Sequence, residues 1–313
     1  MRYGRYNFQS VLEQDAILPT FKGSTFRGVF GLALKRVVCA LKRQECAGCL
    51  LKSRCVYAMC FENPDGSNSE EEPEPGKPSP PHPFVIEPPL TSETCLRKGE
   101  AFDFTLILLG WANDYLPYFV YAFEQMGKMG IGRRVGGRRA GFYLERITCG
   151  DETIYLAEQK TLALDVRVDL HLDDPRPNLP EVNEITVVLQ TPLRLKYQNH
   201  LHSKLPFHIL IRAVLRRIAS LNNCFGEGEP ALDYKGLVAR AEEVETVDSQ
   251  VRWYDWRRYS NRQEQAMLMG GLVGQVSYRG NLGEFIPLIQ YGEKVHLGKA
   301  TAFGLGKIEL RLP

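Results

Sequence analysis

Apolar and polar positions in the first half of the chain predict a run of alternating strands and helices. Residues 2–12 alternate as a strand does, and apolar residues at helical spacing follow Ser24, which is predicted to cap that helix. An apolar strand over 102–109, a second helix over 114–128 and a hairpin over 142–156 come next. The first half therefore reads strand, helix, strand, helix, strand.

The second half repeats this order. Its predicted elements are strands at 185–189, 241–258, 267–278 and 308–312 and helices over 206–221 and 283–292. The duplication predicts an α+β fold of two tandem ferredoxin-like (RRM-type, βαββαβ) domains. We place the N-terminal domain at 1–171, a linker at 172–182 and the C-terminal domain at 183–313.

Charge is unevenly distributed over the 313 residues. Residues 63–83 hold five acids, one lysine and seven prolines with almost nothing to bury, which predicts a disordered acidic loop of net charge −4. Because the whole chain carries +2, the remainder carries +6. Hydrophobic residues make up 44% and charged residues 24%, which excludes a wholly disordered chain. We expect a cytoplasmic protein with no membrane partner, since no long apolar run or secretory signal is present.

Five of the eight cysteines fall within one short window, between residues 39 and 60. Their spacing includes one C-x2-C pair, and clustered thiols in a cytosolic chain suggest metal binding. We predict an insert at 39–62 that holds a structural zinc ion, the ligands being Cys39, Cys46, Cys49 and Cys55. An iron–sulfur cluster would use the same four thiolates, and reduced thiols in a small core are the other alternative.

A glycine-rich stretch places four cations within seven residues: Arg133, Arg134, Arg138 and Arg139. A mobile basic loop of this kind can follow a phosphate backbone, so we predict that these arginines contact RNA. The alternative is a solvated hairpin with no ligand.

A second basic stretch interleaves arginines with aromatic residues near position 256. Aromatic and guanidinium planes can stack unpaired RNA bases. We predict RNA contact for Arg258, Tyr259 and Arg262, and we expect Trp256 to be buried.

Four motifs occur in an order that resembles one family. They are the glycine-containing start of the first helix (23–31), the cysteine set, the aromatic and basic run 255–263, and the C-terminal glycine loop 296–306. Together they resemble the CRISPR-associated precursor-crRNA-processing endoribonucleases of the repeat-associated (RAMP) superfamily. More narrowly, they resemble the branch with a cysteine-bearing insert after the first helix. The glycine loop departs from the family pattern at its first glycine, which is His296 here.

The resemblance implies an endoribonuclease that binds CRISPR repeat RNA (crRNA), with CRISPR effector complex subunits as further candidate partners. It also implies cleavage without a catalytic metal, in which a 2′-hydroxyl attacks the adjacent phosphate and leaves a 2′,3′-cyclic phosphate. Glycine loops let backbone N–H groups approach a phosphate, so Gly298, Gly304, Gly306 and Lys307 are predicted RNA contacts. The alternative for this loop is a tight turn between buried segments.

The chemistry requires a general base and a cation that stabilises the phosphorane. Many relatives place a catalytic histidine just after the first helix, but residues 24–62 contain none. We predict His296 with Lys299 as the catalytic pair and His202 as the next candidate, and we set aside His82, which falls in the acidic loop.

Two other functions remain open. The missing early histidine favours a non-catalytic crRNA-binding subunit of an effector complex. The cysteine cluster alone would also suit a metal or iron–sulfur redox protein.

Overall fold

The computed structural model describes residues 1–42, 44–62, 80–163, 168–170, 182–197, 200–201, 204–260 and 265–313, with backbone alone at 168–169, 196–197, 200–201, 257–260 and 265–268. Its strands are β1 (Arg2–Leu12), β2 (Ala16–Ile17), β3 (Phe84–Glu87), β4 (Cys95–Leu96), β5 (Ala101–Leu109), β6 (Ile131–Val135), β7 (Arg138–Ala140), β8 (Phe142–Cys149), β9 (Glu152–Leu156), β10 (Val168–Asp169), β11 (Glu184–Leu193), β12 (Lys196–Tyr197), β13 (His200–Leu201), β14 (Glu245–Ser249), β15 (Arg252–Ser260), β16 (Gln265–Arg279) and β17 (Ile308–Arg311). Its α-helices are α1 (Gly23–Val38), α2 (Val56–Phe61), α3 (Leu116–Met129), α4 (Phe207–Phe225), α5 (Tyr234–Glu242) and α6 (Ile286–Val295).

The first sheet has the antiparallel order β3-β5-β1-β8-β9, with β10 paired to the start of β1. Its core is a cluster of phenylalanine rings between the sheet and the helices α1 and α3. Phe8 and Phe104 stack at 4.8 Å across two strands, and Phe30 of α1 stacks on Phe123 of α3 at 4.5 Å. Burial of these rings joins the two helices to one face of the sheet.

The second sheet has the order β14-β16-β11-β17, with β15 also paired to β16. Here Phe207, at the start of α4, packs against Tyr278 of β16 at 4.9 Å and edge-on against Phe285 at 5.0 Å. The hydroxyl of Tyr278 donates to the carbonyl oxygen of Leu205 at 2.6 Å, which fixes the segment that enters α4.

In a βαββαβ unit the first strand lies between the third and the fourth. Both sheets have this order: β1 lies between β5 and β8, and β11 lies between β16 and β17. The described residues divide into two compact units, Met1–Asp169 with Cys224–Gly226 and Leu170–Asn223 with Glu227–Pro313. The prediction of tandem ferredoxin-like domains is confirmed. The proposed linker lies almost entirely outside the described residues.

The first helix begins two residues earlier than predicted. Lys22 is its N-cap residue and Ser24 lies inside the helix, where no side chain caps the free N–H groups. Lys22 is fully buried, and its Nζ donates to the carbonyl oxygens of Thr91 at 2.6 Å and Thr20 at 3.3 Å. Burial lowers the pKa of this ammonium.

The described helices are all too short or too polar to cross a membrane.

Candidate functional site

The arginine-rich stretch is a β-hairpin formed by β6 and β7. Val135 pairs with Arg138, so Gly136 and Gly137 form a two-residue turn, with φ angles of 58° and 82°. Positive φ at both positions is the geometry of a type I′ turn, and glycine adopts it without strain. The structure therefore gives this stretch the regular geometry of a hairpin.

The hairpin exposes its charge. Arg133, Arg134 and Arg138 are exposed and Arg139 is half-buried. Residues 130–141 contain these four arginines and no acid. Four guanidinium groups on one short hairpin suit a polyanion, because no carboxylate within the hairpin competes for them.

The C-terminal glycine loop, residues 296–307, is folded inward. Gly304 and Gly306 are buried, whereas Gly298 and Lys299 are exposed and Lys307 is half-buried. Backbone N–H groups of the loop already have acceptors within the protein: that of Lys299 donates to Arg194 O at 2.9 Å, and that of Gly306 donates to Pro192 O at 3.1 Å. The part of this loop that a phosphate can reach is therefore narrow and centres on Gly298 and Lys299.

The hairpin and the glycine loop begin with the same backbone. Gly130 ends α3 with φ 74° and ψ 158°, and His296 ends α6 with φ 60° and ψ 151°. Two residues later, Gly132 and Gly298 both have φ 79°. The two halves of the chain therefore share this turn as well as their sheet order.

The surroundings of the second glycine also correspond. A Cβ atom at Gly132 would clash with the carbonyl oxygen of Ile17 and lie 3.1 Å from Leu18 Cδ2. A Cβ atom at Gly298 would clash with the carbonyl oxygen of Arg194 and lie 3.0 Å from Leu195 Cδ2. Each glycine thus permits the last helix of its half to turn closely against the segment that follows the first strand.

His296 occupies a position where glycine fits best, and its side chain is fully buried. Its Nδ1 donates to the carbonyl oxygen of Leu305 at 3.0 Å, which ties the start of the loop to its end. A general base must reach its substrate, and this ring is enclosed. The prediction that His296 is catalytic therefore gains no support from its position, although Lys299 beside it is exposed.

A row of cations and aromatic rings joins α1 to α2, and sequence reasoning missed it. Lys35 Nζ lies 5.2 Å from the centre of the Tyr57 ring. Tyr57 stacks on Phe61 at 5.2 Å, and the Arg27 guanidinium lies 4.9 Å from the Phe61 ring centre. Gly31 permits this arrangement, because a Cβ atom there would lie 3.0 Å from Phe61 Cε1. All four side chains are half-buried, so they border solvent.

His82 extends this row. Its Nδ1 donates to the carbonyl oxygen of Cys60 at 2.8 Å, and Arg27 Nη2 lies 3.4 Å from its Nε2. The ring packs between Phe61 and Phe84, with centroid separations of 6.4 and 5.7 Å. The prediction that the whole of 63–83 is disordered is wrong at its C-terminal end, where residues 80–83 lead directly into β3. The run of prolines before an apolar strand was the available signal.

Several predicted site residues lie at or beyond the edge of the described chain. His202 and Arg262 are outside the described residues, as are 63–79 of the acidic loop. Arg258 and Tyr259 lie on β15, where only the backbone is described. Trp256, expected to be buried, is half-buried, and its ring stacks with that of Tyr254 at 5.9 Å.

The four predicted zinc ligands are half-buried free thiols: Cys39, Cys46, Cys49 and Cys55. Backbone turns link them, since the Cys49 N–H donates to Cys46 O at 3.3 Å and Cys55 is the N-cap residue of α2. Among the described residues, no three His, Cys, Asp or Glu side chains are grouped to hold a metal ion. As placed, the thiols do not form a zinc site, and zinc remains a prediction that metal analysis can test.

A groove of about 510 Å³ lies between α4 and α5. Arg212 in this groove forms an ion pair with Glu242 at 3.3 Å. Burial and a hydrogen bond to Glu229 raise the pKa of Tyr234, another lining residue, to about 12. This mixed charge suits a polyanion less well than the hairpin does.

Two family models match this chain. Residues 1–166 match the AF_1859 N-terminal domain, which is more than half of the chain. Residues 187–308 match the CRISPR-associated endoribonuclease Cas6. The chain belongs to the Cas6-type RAMP family. The resemblance predicted from the four motifs is confirmed, and proteins of the Cas6 family are CRISPR-associated endoribonucleases.

Individual proteins are similar to this chain over almost its whole length. An uncharacterized protein of Archaeoglobus fulgidus is 26% identical over 302 residues, which are 94% of this chain and 93% of that protein. A Cas6 product complex has a TM-score of 0.57 at 14% identity, and Thermus thermophilus Cas6 has 0.55 at 13%. The alignments cover 99% of this chain in both cases and 100% and 98% of those chains. At this identity the two structures establish the fold of a Cas6-type protein.

Proposed function

We propose that this Cas6-type protein binds CRISPR repeat RNA and cleaves it without a metal ion, to release processed crRNA. The observation that carries the proposal is the match of residues 187–308 to the Cas6 endoribonuclease family. RNA binding itself is supported by the arginine hairpin, which offers four guanidinium groups and no acid.

In the proposed reaction a 2′-hydroxyl attacks the neighbouring phosphorus and the bond to the 5′-oxygen breaks. The products are a 2′,3′-cyclic phosphate and a free 5′-hydroxyl. The protein must orient the strand so that these atoms are in line, supply a base for the 2′-hydroxyl and stabilise the charge of the phosphorane. Stabilisation of the phosphorane charge needs a cation, and the exposed Lys299 and the half-buried Arg27 and Lys35 are cations of this kind.

Cleavage of repeat RNA in EDTA tests the proposal. We expect purified protein to cut a synthetic repeat at one position and to leave a 2′,3′-cyclic phosphate on the upstream product. A matched repeat with a single 2′-deoxy nucleotide at the cut position should bind equally well and remain intact. An uncut repeat, or a cut that persists in the 2′-deoxy substrate, would contradict the mechanism.

A non-catalytic crRNA-binding subunit is the second candidate. It is favoured by the burial of His296 and by the lack of histidine in residues 24–62. Tight, salt-sensitive binding of repeat RNA with no cleavage at any position would select this function.

A further inference from the structure

The row that joins α1 to α2 is extended by His82, whose two ring nitrogens have different neighbours. A carbonyl oxygen only accepts hydrogen bonds, so the contact of 2.8 Å with Cys60 O places the proton of neutral His82 on Nδ1. Its Nε2 then carries the lone pair and accepts from Arg27 Nη2, 3.4 Å away. The backbone thus fixes both the tautomer and the direction of the ring, which is what a general base requires.

Arg27 is held in place by the ring beneath it. Its guanidinium lies 4.9 Å from the centre of the Phe61 ring, which also contacts the rings of Tyr57 and His82. An aromatic face attracts the guanidinium cation, whose several N–H groups can also bind an anion. A phosphate oxygen forms a stronger, charge-assisted hydrogen bond with a guanidinium than a neutral imidazole does. A phosphate that reaches Arg27 can therefore replace His82 as its acceptor.

We infer that His82 and Arg27 form the RNA-cleaving centre of this protein, with His82 as the general base and Arg27 as the phosphate-binding cation. This inference rests on the proposed function. When Arg27 turns to the scissile phosphate, it no longer donates to Nε2 of His82, whose side chain is half-buried. The base and the cation then lie next to the same phosphodiester.

The proton and the bonds balance within this arrangement. His82 Nε2 takes the proton of the 2′-hydroxyl, the 2′-oxygen bonds to phosphorus, and the bond from phosphorus to the 5′-oxygen breaks. A water molecule protonates the leaving 5′-oxygen, and the hydroxide that remains takes the proton from the imidazolium. Arg27 stabilises the additional negative charge on the phosphorane oxygens, and no metal or redox partner takes part.

Single-turnover cleavage of repeat RNA in EDTA, measured for the wild type and three variants, tests the inference. His82→Gln keeps an N–H donor that can reach Cys60 O but has no base, and we expect its rate to fall by about 10²- to 10⁴-fold with a nearly unchanged Kd. His82→Gly should lose as much and recover part of its rate when imidazole is added. His208→Ala, a half-buried histidine in the first turn of α4, is the matched control and should cleave normally.

Each outcome assigns the failure to one claim. If the wild type binds the repeat and leaves it uncut, the proposed function fails. If the wild type cuts and His82→Gln cuts at the same rate, only the assignment of His82 is overturned. A loss in His82→Gly that imidazole does not restore, with RNA binding intact, gives His82 a structural role and also overturns the assignment.

Discussion

The arginine hairpin at 130–141 and the glycine loop at 296–307 begin alike and end differently. Each follows the last helix of its half, and each enters with positive φ at two positions, Gly130 and Gly132 in one and His296 and Gly298 in the other. The hairpin then extends into solvent and exposes arginines. The loop folds back and bonds its own N–H groups to nearby carbonyl oxygens.

This difference indicates that equivalent positions in a duplicated fold have different tasks. The entry turn is determined by packing, because a Cβ atom at either second glycine would clash with a carbonyl oxygen. The segments after the turn differ, since Arg133, Arg134 and Arg138 are exposed whereas Gly304 and Gly306 are buried. In this chain the N-terminal copy carries four arginines and the C-terminal copy only Lys299 and Lys307. The glycines that are typical of the family are in the C-terminal copy, where they serve mainly a close-packed turn. We therefore expect the hairpin to dominate RNA affinity.

Loss of the hairpin charge should have the largest effect. We expect the fourfold replacement R133Q/R134Q/R138Q/R139Q to weaken repeat RNA binding by about three orders of magnitude at low salt, on the order of 1 kcal/mol for each lost phosphate contact. Fluorescence anisotropy with labelled repeat measures this. The matched loop variant, K299Q/K307Q, should lose about tenfold or less in RNA affinity. Equal losses in the two variants would contradict the claim that the hairpin contributes more to RNA binding than the loop does.

The shared entry turn should be equally sensitive in both halves. We expect Gly132→Ala and Gly298→Ala each to reduce the free energy of unfolding by about 2–4 kcal/mol, because each adds a clash and an unfavourable φ. Urea unfolding of the two variants measures this. A large effect at one glycine with none at the other would show that the two turns are not equivalent.

His296 offers a smaller and more specific test. Its φ of 60° and ψ of 151° suit glycine, so His296→Gly removes strain as well as a buried ring, whereas His296→Ala removes only the ring. We expect the glycine variant to be more stable than the alanine variant by about 1 kcal/mol. We also expect His296→Gly to retain RNA cleavage, and loss of cleavage in a folded variant would restore His296 as a catalytic candidate.

The tip of the hairpin should tolerate change. No neighbour lies within 4 Å of a Cβ atom at Gly136, and its φ of 58° is one that asparagine also adopts. We expect Gly136→Asn to change the free energy of unfolding by no more than about 0.5 kcal/mol and RNA affinity by less than threefold. Thermal unfolding and the binding assay measure both, and a strong destabilisation would mean that the tip is packed.

Periodicity was sufficient to predict most of the fold. The strand at 2–12 matches β1, and the helix after Pro206 matches α4, since both carry a continuous apolar face. The helix α5 was missed because it is only nine residues long and buries only Leu237 and Ala241, which is too few positions to show a helical period. The prediction that Ser24 caps the first helix was wrong, because the buried Lys22 occupies the N-cap position.

The candidate site was predicted only in part. The arginines of the hairpin can be recognised in the sequence because they lie close together among glycines, within one short stretch. The contact between His82 and Arg27 joins residues 55 positions apart, and no local pattern predicts it. His296 was chosen because it lies in the glycine loop, but its burial depends on packing that only the folded chain shows.

The salt dependence of repeat RNA binding is the most direct test of the claim that the hairpin carries the phosphate contacts. For single-stranded RNA, the slope of log K against log salt is about −0.7 for each neutralised phosphate. We predict that R133Q/R134Q/R138Q/R139Q reduces the magnitude of this slope by about 2–3, whereas K299Q/K307Q reduces it by about 1 or less. An unchanged slope in the hairpin variant, or a larger reduction in the loop variant, would contradict the account.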